Sequence, residues 1–196
     1  AREVALVAQR CEEAKESLDL NLEQCDLKRI PPAIFTVLNP FPLKAANFSR
    51  NFLTRVSNNI HSFSNLQVSF FKKIYLNIYQ DPINETIHFS FILFIIIELD
   101  VSFNSISDLP VEITHLLLQK INISNNRFTS LPQTLFSISS LEHINAKDNK
   151  ITTIDSKEFE KLEHLKELEL EGNEIDTSIS HSILSQLSLP FLHRRF

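Results

Sequence analysis

The side chains of this sequence equipped for chemistry are seven histidines, two cysteines and a run of alternating glutamates. Histidine beside a carboxylate can move protons, and histidine with cysteine at short spacing binds zinc. Here His61, His115, His143, His164 and His181 are scattered, without the paired spacing that a metal helix or a Cys/His site needs. No nucleophile elbow, phosphate loop or dinucleotide fingerprint occurs, and with Gly172 as the only glycine a glycine-rich cradle is impossible. The expectation is a protein that is not an enzyme and uses no cofactor and no metal. Asn84-Glu85-Thr86 and Asn47-Phe48-Ser49 match the glycosylation pattern, but without a secretion signal they read as chance matches. Recognition is the chemistry that remains. Glu167, Glu169 and Glu171 fall on one face of one extended segment, where three like charges repel and gain from a basic partner.

Those glutamates sit inside a recurring pattern. Leu118, Ile121, Ile123, Asn126 and Phe128 have the spacing L-x-x-L-x-L-x-x-N-x-L, repeated by Leu141, Ile144, Ala146, Asn149 and Ile151 and by Leu165, Leu168, Leu170, Asn173 and Ile175. Leu99, Val101, Asn104 and Ile106 give another copy, as do Leu43, Ala46, Phe48, Asn51 and Leu53; Leu20, Leu22, Cys25 and Leu27 give one with cysteine in place of asparagine. A second signal, an apolar residue followed by proline, recurs at Ile30-Pro31, Leu109-Pro110 and Leu131-Pro132. The late units start at 118, 141 and 165, so the period is 23 or 24 residues, which is that of leucine-rich repeats.

Each unit predicts a short strand, a turn and a return path, stacked into an α/β solenoid that arcs right-handed with its parallel sheet on the concave face. Period two sends Ile121 and Ile123 inward and Lys120, Asn122 and Ser124 outward. The turn asparagine can donate to and accept from backbone groups that no strand pairing satisfies. Cys25, Asn51, Asn104, Asn126, Asn149 and Asn173 therefore form a structural ladder, Cys25 imperfectly because a thiol is a weak donor. Phe35, Phe136 and Phe159 on the return paths should stack into a second ladder. The outward strand residues make a polar surface: Asn21, Asn47, Asp100, Asn122 and Asn145 align across the strands, and Glu167, Glu169 and Glu171 form an acidic end beside Lys120, His143 and Lys147. These eleven residues are the binding candidates, and an extended protein partner is what such a surface suits.

The start, "AREVALVAQRCEEAK", places Val4, Val7, Ala8, Cys11 and Ala14 on one helical stripe, an N-terminal cap over residues 1–16. Repeats follow over 17–67 and 98–176, and residues 177–196, with Ile179, Ile183, Leu184 and Leu187 grouped, form a C-terminal cap or tail. A net charge of −5 argues against nucleic acid as partner. No signal peptide or twenty-residue apolar span is visible, and two cysteines fall short of the clusters that secreted repeat proteins carry at their caps, so the expected setting is the cytoplasm, away from membranes. The chain is expected to be a monomer. The N-terminal helix, "LDLNLEQCDLKRIPPAIFTVL" and "LKELELEGNEID" together resemble the family of small leucine-rich repeat proteins typified by leucine-rich repeat-containing protein twenty. That resemblance implies a binding module and supplies no catalytic residues.

One segment departs from the pattern. Residues 68–97, "VSFFKKIYLNIYQDPINETIHFSFILFIII", lack the repeat spacing and hold both tyrosines. Deleting them joins Leu66 to Leu99, Val101, Asn104 and Ile106 in register; Leu66 and Leu118 stand 52 apart, and 52 minus 30 leaves 22, a normal interval. The segment reads as an insertion, either a recognition loop or translated non-coding sequence, since its residues are those of A/T-rich codons. The uncharged run Phe89 to Ile97 is an aggregation hazard if exposed. Three functions stand side by side: a non-enzymatic interaction scaffold, a regulatory subunit docking an enzyme such as a phosphatase or small GTPase, and an aberrant product that binds nothing.

Overall fold

The computed structural model describes residues 2–64, 97–175 and 193–195. In each repeat a buried apolar residue between two outward ones, polar except for Ala45, makes a three-residue strand: β1 (Asp19–Asn21), β2 (Ala45–Asn47), β3 (Glu98–Asp100), β4 (Lys120–Asn122), β5 (His143–Asn145) and β6 (Glu167–Glu169). A seventh strand, β7 (His193–Arg195), completes one sheet in sequence order. All neighbours are parallel and in register, so Leu20, Ala46, Leu99, Ile121, Ile144 and Leu168 form one row. Each of these six is at most 2% exposed. The fold is the leucine-rich repeat solenoid that the spacing predicts.

The return paths are short helical turns, three of them begun by proline. Helix α2 (Pro32–Leu38) and the 3-10 turns Val111–His115 and Gln133–Ser137 each follow a proline whose carbonyl accepts the first turn bond: Ile34 N to Pro31 O, Ile113 N to Pro110 O and Leu135 N to Pro132 O, at 3.0–3.1 Å. Proline fits there because its fixed φ starts the turn and its missing N–H is one that would have no partner. Two return turns have no proline before them: Asn58–Ser64, where Ser57 O accepts from Ile60 N at 3.0 Å, and Ser156–Lys161, where the Asp155 carboxylate accepts from Lys157 N at 3.0 Å. The expected phenylalanine ladder forms as two ring pairs, Phe35 on Phe63 at 5.0 Å and Phe136 on Phe159 at 5.1 Å. Ile113 is buried on the return path between these pairs in sequence.

The asparagine ladder binds the repeats together. The Asn126 amide donates to Val101 O in the preceding repeat and to Ile123 O and Ser124 O in its own, while its carbonyl accepts from Ile106 N. Asn149 and Asn173 repeat this arrangement. Asn51 accepts from both Cys25 N and Leu27 N and donates to Leu22 O, Phe48 O and Ser49 O. Cys25 needs less: no earlier repeat lies behind it, and its thiol reaches only Glu23 O, at 3.6 Å.

The ladder also crosses residues 65–96. β2 pairs directly with β3, and Asn104 donates to Phe48 O while accepting from Leu53 N. Ile97, at the end of the segment set apart in the sequence, belongs to the ladder of residues preceding the strands: its N–H donates to Lys44 O and its carbonyl accepts from Gln119 N and Lys120 N. It stands where the deletion argument puts Gln67, so residues 97 and 98 enter the sheet as an ordinary strand start. The rest of that segment from Val68 on lies outside the described residues.

Helix α1 (Arg2–Ser17) covers the β1 edge, and the Arg10 guanidinium donates to Asn21 O at 2.9 Å. The predicted stripe is half right. Val7, Cys11 and Ala14 are buried, whereas Val4 is 73% exposed and Ala8 is exposed. The helix has a repeat on one flank only, so the arc of stripe beyond that contact faces outward. Apart from β7, the C-terminal cap or tail expected over 177–196 lies outside the described residues.

Candidate functional site

In-register pairing converts the strands into three outward columns. The first holds Asp19, Ala45, Glu98, Lys120, His143 and Glu167, and the next Asn21, Asn47, Asp100, Asn122, Asn145 and Glu169. The third, two residues past the end of each strand, holds Glu23, Ser49, Ser102, Ser124, Lys147 and Glu171; its three serines are buried, so Ser124, expected to face outward, is covered by its neighbours. Rows are about 4.8 Å apart, the spacing of hydrogen-bonded strands.

The middle column spends much of its bonding capacity on the backbone. Asn21, Asn47, Asp100, Asn122 and Asn145 each accept, through one side-chain oxygen, from the N–H two residues on: Glu23, Ser49, Ser102, Ser124 and Lys147, at 2.8–3.1 Å. This closes each strand into its turn, as Asn and Asp side chains do in turns generally. Asn122 also donates its amide to the second oxygen of Asp100 at 3.1 Å. The site candidates are therefore fixed in direction. Sequence reading gave them a binding role and missed this structural one.

Charge is organised across strands. Lys120 Nζ pairs with Glu98 at 2.6 Å, and this bond, first among several, raises the Lys120 pKa. His143 Nδ1 lies 3.1 Å from Glu167 Oε2. Lys147 Nζ is shared between Glu169 and Glu171, at 3.1 Å each, and those two bonds raise its pKa. The acidic end is thus not a bare cluster, since the His143 ring of β5 and the Lys147 ammonium of its turn meet it. Just before the strands Lys166 pairs with Glu142 at 2.6 Å and holds that carboxyl below its ordinary value. Pairs this exposed contribute about 0–1 kcal/mol each. Their effect is to fix a charge pattern.

A row of left-handed residues borders the face. Gln24, Arg50, Phe103, Asn125, Asp148 and Gly172, each just before its ladder residue, have φ between 50° and 73°. A Cβ on Gly172 would meet Asp148 Oδ1, a contact that glycine avoids. Phe103 is the exception in kind, a bulky residue with φ 51° that is 43% exposed. The Arg50 guanidinium lies 4.5 Å over its ring and pairs with Glu23 at 3.1 Å. The signal for this trio was available: a phenylalanine at a position otherwise polar.

A separate groove of about 800 Å³ opens at the N-terminal end, among α1, the turn at Asp26–Arg29, α2 and Phe52. Val4, Val37 and Phe52 stand exposed on it, and Cys11 lies buried at its wall. Cys11 and Cys25 are both free thiols, and burial raises the pKa of each. Among the described residues no group of three His, Cys, Asp or Glu is placed to hold a metal ion, and no helix is long and apolar enough to cross a membrane.

Residues 117–175 match the family described as leucine rich repeat. The chain is similar to the CD180 antigen of Mus musculus, 29% identical over 160 residues that make up 80% of this chain and 20% of the antigen. Among solved structures it is similar to a leucine-rich repeat protein of Leptospira interrogans, with TM-score 0.66 and 25% identity over 94% of this chain and 38% of that one. An internalin of Listeria monocytogenes shares the fold, with TM-score 0.56 and 17% identity over 86% of this chain and 38% of that one. The chain thus spans about a fifth of the antigen's length and well under half of either structure. The matched stretch, the single in-register sheet and these neighbours agree on a leucine-rich repeat fold.

Proposed function

We propose that this chain is a non-enzymatic protein-interaction module that holds an extended protein partner against its outward strand face. The observation that carries this reading is the fixed lattice of polar groups: columns in register, amides oriented by turn bonds, and charges set by cross-strand pairs. A face already ordered loses little entropy on binding. Asn21, Asn47, Asp100, Lys120, Asn122, His143, Asn145, Lys147, Glu167, Glu169 and Glu171 are the contact residues of the proposal. Docking of an enzyme such as a phosphatase or small GTPase would use the same face, and hydrolase activity that copurifies with the chain would mark it. The free buried thiols support a reducing, cytoplasmic setting. Coverage of the β1 edge by α1 and of the β6 edge by β7 supports a monomer. The finer kinship, to the family typified by leucine-rich repeat-containing protein twenty, rests on Leu18 to Cys25, and the division of the chain into repeats on either side of an insertion at 68–97 is part of the same reading.

Amine-reactive cross-linking of the full chain in cell extract tests the face. Lys120 and Lys147 lie on it, whereas Lys157 and Lys161 lie on the return turn Ser156–Lys161. Partner cross-links should fall on Lys120 and Lys147, and a triple charge reversal of Glu167, Glu169 and Glu171 should weaken capture. Cross-links confined to Lys157 and Lys161 would reject the reading.

A further inference from the structure

Three exposed apolar residues converge on the groove at the N-terminal end, and the repeat pattern asks for none of them. Phe52 follows the ladder residue Asn51, and the same step in the other repeats holds Asp26, Ser105, Arg127, Lys150 and Glu174. An aromatic ring therefore stands where the pattern is otherwise polar, and it is 60% exposed. The Phe52 N–H donates to Leu27 O at 2.9 Å, which fixes the backbone that carries the ring. Val4 lies on the part of the α1 stripe that the first repeat leaves uncovered, and Val37 is exposed on α2. One apolar surface is thus assembled from three elements, the arrangement that marks a binding site. The charges on the groove are uneven. Lys28 and Arg29 are exposed side by side on the turn, and among the described residues neither has an ion pair. Of the two carboxylates that line the groove, Glu12 is held by Lys15, which leaves Asp26 against two cations.

We infer that this groove binds a single-chain fatty acid, its aliphatic tail on Val4, Val37 and Phe52 and its carboxylate on Lys28 and Arg29. Size decides between a small molecule and a protein. Fourteen residues line the groove, against about 20–30 a side in a protein interface of standard size. Its volume of about 800 Å³ falls within the roughly 300–1,000 Å³ of small-molecule sites. Charge decides the head group, because a guanidinium beside an ammonium favours an anion and arginine matches a carboxylate with two parallel N–H bonds. A tail laid along the groove takes apolar surface of ligand and protein out of water together. The site shares no residue with the outward strand face and stands or falls apart from that proposal.

The test titrates the full chain with decanoate, 1-decanol and decylammonium below their aggregation limits, read by NMR shifts of methyl and ring resonances. Decanoate should saturate one site, shift Val4, Val37 and Phe52, and bind roughly tenfold more tightly than 1-decanol, the worth of a charge-assisted hydrogen bond. Decylammonium should bind more weakly than either. Octanoate, two methylenes shorter, should bind roughly fivefold more weakly than decanoate. Lys28→Ala with Arg29→Ala should erase the preference for decanoate over 1-decanol and leave 1-decanol binding unchanged. Phe52→Ser, the residue type of position 105, should weaken both ligands by roughly fivefold. Val111→Ser, an exposed valine outside the groove, should change neither. Equal binding of decanoate and decylammonium, titration without saturation, or unchanged affinity in Phe52→Ser would overturn the inference. Should Phe52→Ser fail to fold, the Lys28→Ala, Arg29→Ala chain decides, with an undiminished preference for decanoate counting against the site. Shifts of the same residues with chain concentration alone would assign the groove to a second copy and reject the fatty acid.

Discussion

Asparagine does two different jobs in this molecule, a few ångströms apart. In the ladder, Asn51, Asn126 and Asn149 are 6–8% exposed and each joins two repeats through both ends of its amide. On the strand face Asn47, Asn122 and Asn145 are half-buried, and one oxygen closes a local turn. Burial makes the difference. A ladder asparagine satisfies groups that water cannot reach, so its loss strands them; a face asparagine can be replaced at its turn by solvent.

Substitutions can break this comparison, the most damaging first. Asn126→Ala leaves the Ile106 N–H and a carbonyl of each of two repeats without their partner, and at about 1–3 kcal/mol per stranded group the loss should reach about 3 kcal/mol or more. Calorimetry should show the midpoint falling by roughly 6 °C or more for a chain of this size. Gly172→Ala should cost about 1–3 kcal/mol through its left-handed backbone and the meeting with Asp148 Oδ1. Pairing it with Asp148→Gly should recover the part due to that contact and none of the part due to φ. Asn145→Ala, on the face, should cost about 0.5–1 kcal/mol in urea denaturation, the range of one net hydrogen bond. A loss equal to that of Asn126→Ala would erase the distinction between the two sets.

The smallest effect concerns pH. Burial raises the Cys11 and Cys25 pKa above the ordinary 9.0. Once pH passes 9.0 the unfolded chain loses thiol protons that the folded chain keeps, so stability falls as pH rises toward the folded values. Lys147 and Lys120, held above 10.5, lose their contribution at still higher pH, where their cross-strand pairs discharge. Urea midpoints measured from pH 8 to pH 10 should decline, and Cys11→Ala should flatten the decline.

The ladder was legible in the sequence because burial leaves few substitutes: an amide that must both donate and accept recurs at fixed spacing, and only Cys25, with no repeat behind it, departs. The outward strand residues were legible from period two. Their pairing was not, since Lys147 with Glu169 and Glu171, or Lys120 with Glu98, are neighbours only once register is known. The left-handed row was hidden for a related reason. One of its six members is glycine, and residues as different as Arg50, Phe103 and Asp148 adopt the same φ because the repeats on either side impose it. Val4 and Ala8 looked like core because a stripe records which face is apolar and says nothing of how wide the covering neighbour is. β7 carried no signal, having three residues with arginine at the inward register.

The claim on which the rest depends is that one ladder, and so one continuous face, runs through the chain on both sides of residues 65–96. Asn104 is the link, and the Leu53 N–H that donates to it at 2.9 Å is its reporter. Hydrogen exchange of the full chain, read residue by residue, tests it most directly. Leu53 should be protected as strongly as Ile106, whose N–H donates to Asn126 at 3.0 Å within the uninterrupted repeats. Exchange at Leu53 near the rate of an open amide, with Ile106 still protected, would mean that the ladder stops at the junction and the molecule carries two separate faces.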